Sequence, residues 1–168
     1  MNKVKVYFFR GTLLFFIVIV MLLQFGCDVS FNDGKNLQTL SGTNVSRVLD
    51  EMLVAEGKWI FEENCKGCHG ANAQGAINWK QTDADGFYPP PPLDGSGHAW
   101  HHSSMVLKDV IKYGSVRDEQ GRAKGKMPAW ENKLDDQQLD AVISWFQSLW
   151  PDPVYASWFD REQRALAQ

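Results

Sequence analysis

The run Cys65-Lys66-Gly67-Cys68-His69 limits what this chain can fold into more than any other stretch. Two cysteines separated by two residues and followed at once by histidine form the spacing at which a c-type haem is attached. The two sulfurs add across the two vinyl groups of the porphyrin. Two intervening residues let one turn of backbone span one edge of the macrocycle, and His69 comes next because it must face the ring centre as the proximal iron ligand. C-x-x-C also serves zinc and dithiol redox chemistry. Here no second Cys pair completes a zinc site, no βαβ pattern surrounds the motif, and an export segment precedes it. The motif occurs once, so one covalent haem c with its iron is expected.

A chain of 168 residues allows one compact domain plus an anchor and a linker. It has three cysteines. Cys65 and Cys68 are taken by haem and Cys27 by the anchor described next, so no disulfide is expected. The seven tryptophans suit a small domain wrapped around a large apolar cofactor. Formal charge is −3, but Lys3, Lys5 and Arg10 belong to the leader; without them 14 of the 17 basic residues face 20 acidic ones, a net −6. An acidic domain argues against nucleic acid as a partner.

Residues 1–27 read as an export segment. Lys3, Lys5 and Arg10 form a positive start, and Leu13 to Leu23 is an unbroken apolar run. Eleven residues fit a signal-peptide core better than a bilayer span. The run ends at Gln24-Phe25-Gly26-Cys27, which resembles a bacterial lipoprotein cleavage site, although Gln24 stands where that pattern prefers an aliphatic residue. The resemblance implies that Cys27 becomes the lipidated first residue, and Asp28 resembles a signal for retention at the inner membrane. Each buried methylene contributes about 0.8 kcal/mol, so several acyl chains would hold the protein on the membrane. The alternative is an uncleaved signal anchor with Cys27 idle. Either way the folded part is expected on the periplasmic side of a bacterial inner membrane. Residues 28–44 are polar and aperiodic and are expected to be a tether, with Phe31 or Leu37 able to pack.

A helix is expected from Val45, with Leu49, Leu53, Ile60 and Phe61 at helical spacing, running into Cys65. Gly57 within it costs about 0.5–1 kcal/mol relative to alanine, and close approach of another helix would explain it. Asp135 with Gln138 reads as a capping box opening a second helix. Its apolar face is Leu139, Val142, Ile143, Phe146 and Leu149, and Pro151 and Pro153 stop it. A middle helix starts at Ser103 or Ser104, turns Val106, Leu107, Val110 and Ile111 inward and ends at Gly114. Met105 in that helix is expected to pack in the core.

Gly57, Phe61 and Cys65, each four residues apart, resemble the first helix and haem motif of class I cytochrome c, and Trp145 stands at the aromatic position of that family's crossing C-terminal helix. The resemblance covers residues 50 to 150. It implies an all-α, cytochrome c-like fold around one covalent haem, with the domain at 45–150 and an aromatic extension at 151–168. Pro91 and Leu93 in Pro91-Pro92-Leu93-Asp94-Gly95 match the family's proximal proline loop. There the proline carbonyl accepts the other N–H of the iron-binding histidine. Met127 in Gly125-Lys126-Met127-Pro128-Ala129-Trp130 stands where the family carries its distal methionine. A thioether favours ferrous iron and raises the potential. Asn78 to Pro90 looks like an insertion over one haem edge, with Trp79 and Tyr88 as candidate propionate donors. The aromatic stretch Val154 to Phe159 is expected to pack on the domain, with a short polar helix from Asp160, or else to serve as a docking strip.

His98, His101 and His102 are the rivals to Met127 as iron ligands, and a His-rich run can also bind copper or zinc. The favoured reading leaves them solvated or bonded to a propionate. Lys66, Lys124 and Lys126 lie near the haem motif and the methionine loop, where they could steer an acidic partner. No catalytic constellation accompanies the motif. The expected role is therefore that of a single-electron carrier between redox donor and acceptor proteins, not of an enzyme. Two alternatives stay open. One is a fixed haem-bearing subunit of a respiratory oxidase or dehydrogenase complex; the other is a sensor or enzyme with an open sixth iron site.

Overall fold

The computed structural model describes residues 35–39, 41–42, 44–47, 49–115 and 125–168. The leader with Cys27, Phe31 and Lys124 lie outside the described residues. The elements in chain order are strands β1 (Lys35–Gln38) and β2 (Asn44–Arg47), helices α1 (Glu51–Asn64) and α2 (Lys66–His69), a 3-10 turn at Ala99–His101, and helices α3 (Ser104–Tyr113), α4 (Asp136–Ser148) and α5 (Asp152–Leu166). Among the described residues no helix is long and apolar enough to cross a membrane.

The crossing of α1 and α4 is the centre of the fold. A Cβ built on Gly57 would overlap the Ala141 carbonyl and lie 2.9 Å from the Trp145 Cβ. The helix backbones are thus in contact, which only glycine permits. One turn on, Phe61 meets Trp145 with ring centroids 4.2 Å apart. Ile60, Phe61, Leu139 and Ala141 are fully buried around this contact. The helix ends are closed locally. Asp50 Oδ1 accepts the Met52 and Leu53 amides at the start of α1. Asp135 and Gln138 form the expected reciprocal cap of α4, at 2.8 and 3.1 Å.

Several expectations need correction. Residues 44–47 are a strand, not the start of a helix, and α1 begins only after its Asp50 cap. Lys35–Gln38 pairs antiparallel with that strand, so this part of the presumed tether is folded. Leu37 and Val45 are its buried pair, set against Ala156. Met105 is 68% exposed and Val106 also faces outward, because α3 buries chiefly Leu107 and Ile111; Leu149, just past the end of α4, is exposed as well. Pro153 does not stop a helix but opens α5, where a missing backbone N–H costs nothing in the first turn. The helix expected from Asp160 therefore starts eight residues earlier, at Asp152.

The C-terminal aromatic stretch packs on the domain. Arg47 donates to the Gln147 and Trp150 carbonyls at the end of α4 and pairs with Asp152 at 3.2 Å. Its guanidinium lies 4.5 Å from the centroid of the Tyr155 ring. Arg47 thus adds a charged donor to the Gln147 carbonyl, which also accepts the Trp150 amide at 3.1 Å, and to the Trp150 carbonyl beyond the helix. Glu162 of α5 accepts the Ser104 amide at 2.8 Å, closing the first turn of α3. Asp160 accepts the Ser41 hydroxyl at 2.8 Å. If the α1–α4 crossing organises the fold, Gly57→Ala will cost about 3 kcal/mol by forcing the backbones apart. A falling denaturation midpoint of the holoprotein measures this.

Candidate functional site

The short helix α2 carries the C-x-x-C-H motif directly off the end of α1. The Cys65 amide donates to the Phe61 carbonyl at 2.8 Å, and the Cys68 and His69 amides return to the Cys65 carbonyl at 3.1 and 3.0 Å. The core contact at Phe61 thereby fixes where the motif begins. His69 is buried, and its Nδ1–H donates to the Pro91 carbonyl at 2.9 Å. That bond orients the ring and leaves Nε2 for a metal. Burial pushes the imidazole below its ordinary range, partly offset by the Pro91 carbonyl, so the ring is the neutral form that ligates.

The proline loop is itself tied down. The Leu93 amide donates to the Ala73 carbonyl at 2.7 Å, and the Leu93 carbonyl accepts the Trp150 indole N–H at 2.8 Å. Trp150 is almost wholly buried and sits just beyond α4.

The methionine loop is built on the C-terminal end of α3. Gly114 ends α3 with φ 78, and a Cβ there would come within 2.8 Å of the Met127 carbonyl. The Ser115 amide donates to the Met127 carbonyl at 3.1 Å, and the Met127 amide donates to Ser115 Oγ at 3.1 Å. The Trp130 amide donates to the Lys112 carbonyl at 3.0 Å. Met127 is half-buried and packs against the core.

Cys65, Cys68, His69, Pro91, Leu93 and Met127 all line one cavity of about 720 Å³. Phe61, Leu107, Val142 and Phe146 give it an apolar wall. A volume in this range is usual for a cofactor site, and the donor set suits iron: two thiols at one edge, a neutral imidazole and a thioether. The dithiol alternative fares worse. Burial, with a smaller contribution from Cys68, pushes the Cys65 thiol up to about 11, whereas a redox-active cysteine needs a depressed pKa. Among the described residues no group of three or more His, Cys, Asp or Glu side chains could hold a metal ion.

The histidines divide. His98 and His102 line the cavity, with His98 stacked on Trp79 at 5.5 Å and edge-on to His102 at 5.6 Å. His101 instead stacks on Trp100, 3.7 Å between centroids, with Arg161 5.5 Å from the same indole. Burial, and secondarily its histidine neighbours, hold His102 below the ordinary imidazole range. Trp79 and Tyr88 line the cavity as well. Lys66 is exposed, but Lys126 is occupied, pairing with Asp83 at 2.8 Å and Asp85 at 3.5 Å. Residue-by-residue reading missed Ser115, Trp150 and this acidic pair, because each acts through a partner distant in sequence. The turn signal Asp83-Ala84-Asp85-Gly86 marked the place without revealing its partner.

The family model for cytochrome c matches residues 54–150. The chain is 32% identical over 103 residues to the cbb3-type cytochrome c oxidase subunit CcoP of Azospirillum sp. (strain B510), covering 61% of this chain and 31% of that protein. It is 31% identical over 99 residues to cytochrome c6 of Cladophora glomerata, covering 58% of this chain and 89% of that protein. The chain thus spans less than a third of the length of CcoP. The crystal structure of cytochrome cL from Methylophaga aminisulfidivorans superposes with a TM-score of 0.47 at 22% identity, over 85% of this chain and 83% of that one.

Trp150→Phe leaves the Leu93 carbonyl without its buried donor and removes ring volume from the core. It is expected to destabilise the holoprotein by about 1–2 kcal/mol, measured as a drop in its unfolding midpoint.

Proposed function

The chain belongs to the cytochrome c family and carries that family's covalent haem c with its iron, and we propose that it is a single-electron carrier in a periplasmic electron-transfer chain. Cys65 and Cys68 would hold the haem as thioethers, and His69 and Met127 would be its two axial ligands. When bound, the haem supplies the one-electron couple. The residues around it do the rest. Pro91 holds the His69 ring through Nδ1, Leu93 and Phe146 exclude water, and Ser115 fixes the loop that presents Met127. The observation that carries this reading is the convergence of His69 and Met127 on one apolar cavity. A site closed by two side chains suits electron transfer, because little reorganises when the charge changes. A thioether ligand favours the reduced state and raises the potential.

Likeness to CcoP supports a second reading, in which the same domain is a fixed haem-bearing subunit of a respiratory oxidase complex. A detergent extract discriminates the two. A mobile carrier purifies alone, whereas a subunit purifies with a larger assembly. Membrane attachment through a lipidated Cys27 belongs to both readings and to the same proposal.

Ligation by Met127 predicts a weak sulfur-to-iron band in the far red of the oxidised spectrum. Met127→Ala abolishes it, and replacing His98, His101 and His102 together leaves it in place; a band that survives Met127→Ala contradicts the assignment. Lipidation predicts that mass spectrometry of the native protein finds acylated Cys27 as the first residue, and that Cys27→Ser prevents processing. An intact Met1 would establish the uncleaved anchor instead.

A further inference from the structure

The segment 78–90 contributes no iron ligand, yet it grips the stretch of chain that carries Met127. Asp83 organises it. Its Oδ1 accepts the Asp85 amide at 3.0 Å and the Phe87 amide at 2.9 Å. The Asp83 amide donates to the Phe87 carbonyl at 2.8 Å, and the Gly86 amide returns to the Asp83 carbonyl at 3.0 Å. One carboxylate oxygen therefore builds the turn. The other, Oδ2, accepts from Lys126 Nζ at 2.8 Å.

Lys126 immediately precedes Met127. Its ammonium also lies 5.0 Å from the Phe87 ring and 3.5 Å from Asp85. Next to these contacts, Tyr88 and Gly125 form a parallel backbone bridge. Both residues before Met127 are thus held by the insertion, while Met127 itself is held from α3 by Ser115. The charges agree with the geometry: the hydrogen bond from Lys126 holds the Asp83 carboxyl below its ordinary range, and Asp83 holds Lys126 above its own.

We infer that residues 83–88 form a strap whose ion pair with Lys126 keeps Met127 seated, making Asp83 a positioning residue for the distal ligand. The inference rests on the reading of Met127 as that ligand. The Asp83 side chain is 36% exposed and that of Lys126 56% exposed, so the pair is modest in strength and weakened by salt. The strap is accordingly a graded latch. It slows opening of the loop without adding to the ligand set.

The test uses the ferric holoprotein and imidazole as probe, since imidazole enters only when the thioether leaves. Asp83→Asn keeps an oxygen for the Asp85 and Phe87 amides but removes the charge facing Lys126. At low ionic strength it is expected to raise the imidazole association rate roughly threefold. Lys126→Gln, which also gives up Asp85 and the Phe87 ring, should raise it at least as much, and the double variant should be no faster than Lys126→Gln alone, because the Asp83 charge then has no partner left to lose. Added salt should bring the unaltered protein toward the variants and leave the double variant unchanged. Without any probe, amide exchange at Gly125 and Met127 should rise in the same variants. An unchanged imidazole rate in both single variants, with the far-red band present, overturns the strap and leaves the ligand reading standing. Rate increases that multiply independently in the double variant overturn it too. Absence of the far-red band from the unaltered protein overturns both readings.

Discussion

Everything in this molecule hangs from the place where Gly57 lies against the Ala141 carbonyl. Because the two helix backbones touch, the Phe61 and Trp145 rings must meet one turn further along, tilted by 38°. Because Phe61 is fixed, the Cys65 amide that bonds to its carbonyl is fixed as well. The haem motif thus begins at a point set by core packing. A bulkier residue at 57 would tilt α1, and the thiols would leave the edge of the cavity.

The long loops that follow are held by polar groups reaching across the chain. Pro91 serves His69, Trp150 serves Leu93, and Arg47 serves the carbonyls that end α4. These contacts run in sequence from the hairpin, through the end of α4, to the proximal loop. A buried carbonyl left without a partner costs about 1–3 kcal/mol, so each tie restrains its loop more than its net stabilisation suggests. The C-terminal helix α5 belongs to the same scheme. Glu162 caps α3, whose far end carries the Ser115 that holds Met127. An extension that does not line the cavity therefore braces the helix from which the Met127 loop is held.

Much of this was legible because single residues carried it. The C-x-x-C-H spacing, Gly57 with Phe61 and Trp145, and the Asp135–Gln138 cap each state a local requirement that only one geometry meets. The hairpin was not legible. Each strand has four residues and a single buried apolar side chain, Leu37 or Val45, so neither alternation nor length separates it from a linker. The start of α5 is masked in the sequence because Pro153 marks a helix start as readily as a stop. Met105 and Val106 are apolar positions of α3 that face outward because a helix over a cofactor cavity buries a narrow stripe, and Leu149 continues the apolar spacing of α4 but falls past its last residue. The contact of Asp83 with Lys126 spans 43 residues, and no local pattern encodes it.

On the proposed ligation, both axial positions of the iron would be filled by this chain's own side chains, so that charge moves with little rearrangement. Mixing the ferrous, undamaged protein with carbon monoxide at neutral pH tests it most directly. The closed site predicts poor binding, limited by how often the methionine loop opens. Fast, stoichiometric binding would contradict it, because it would mean that a position on the iron stands open and that sensing or catalysis describes the protein better than electron transfer.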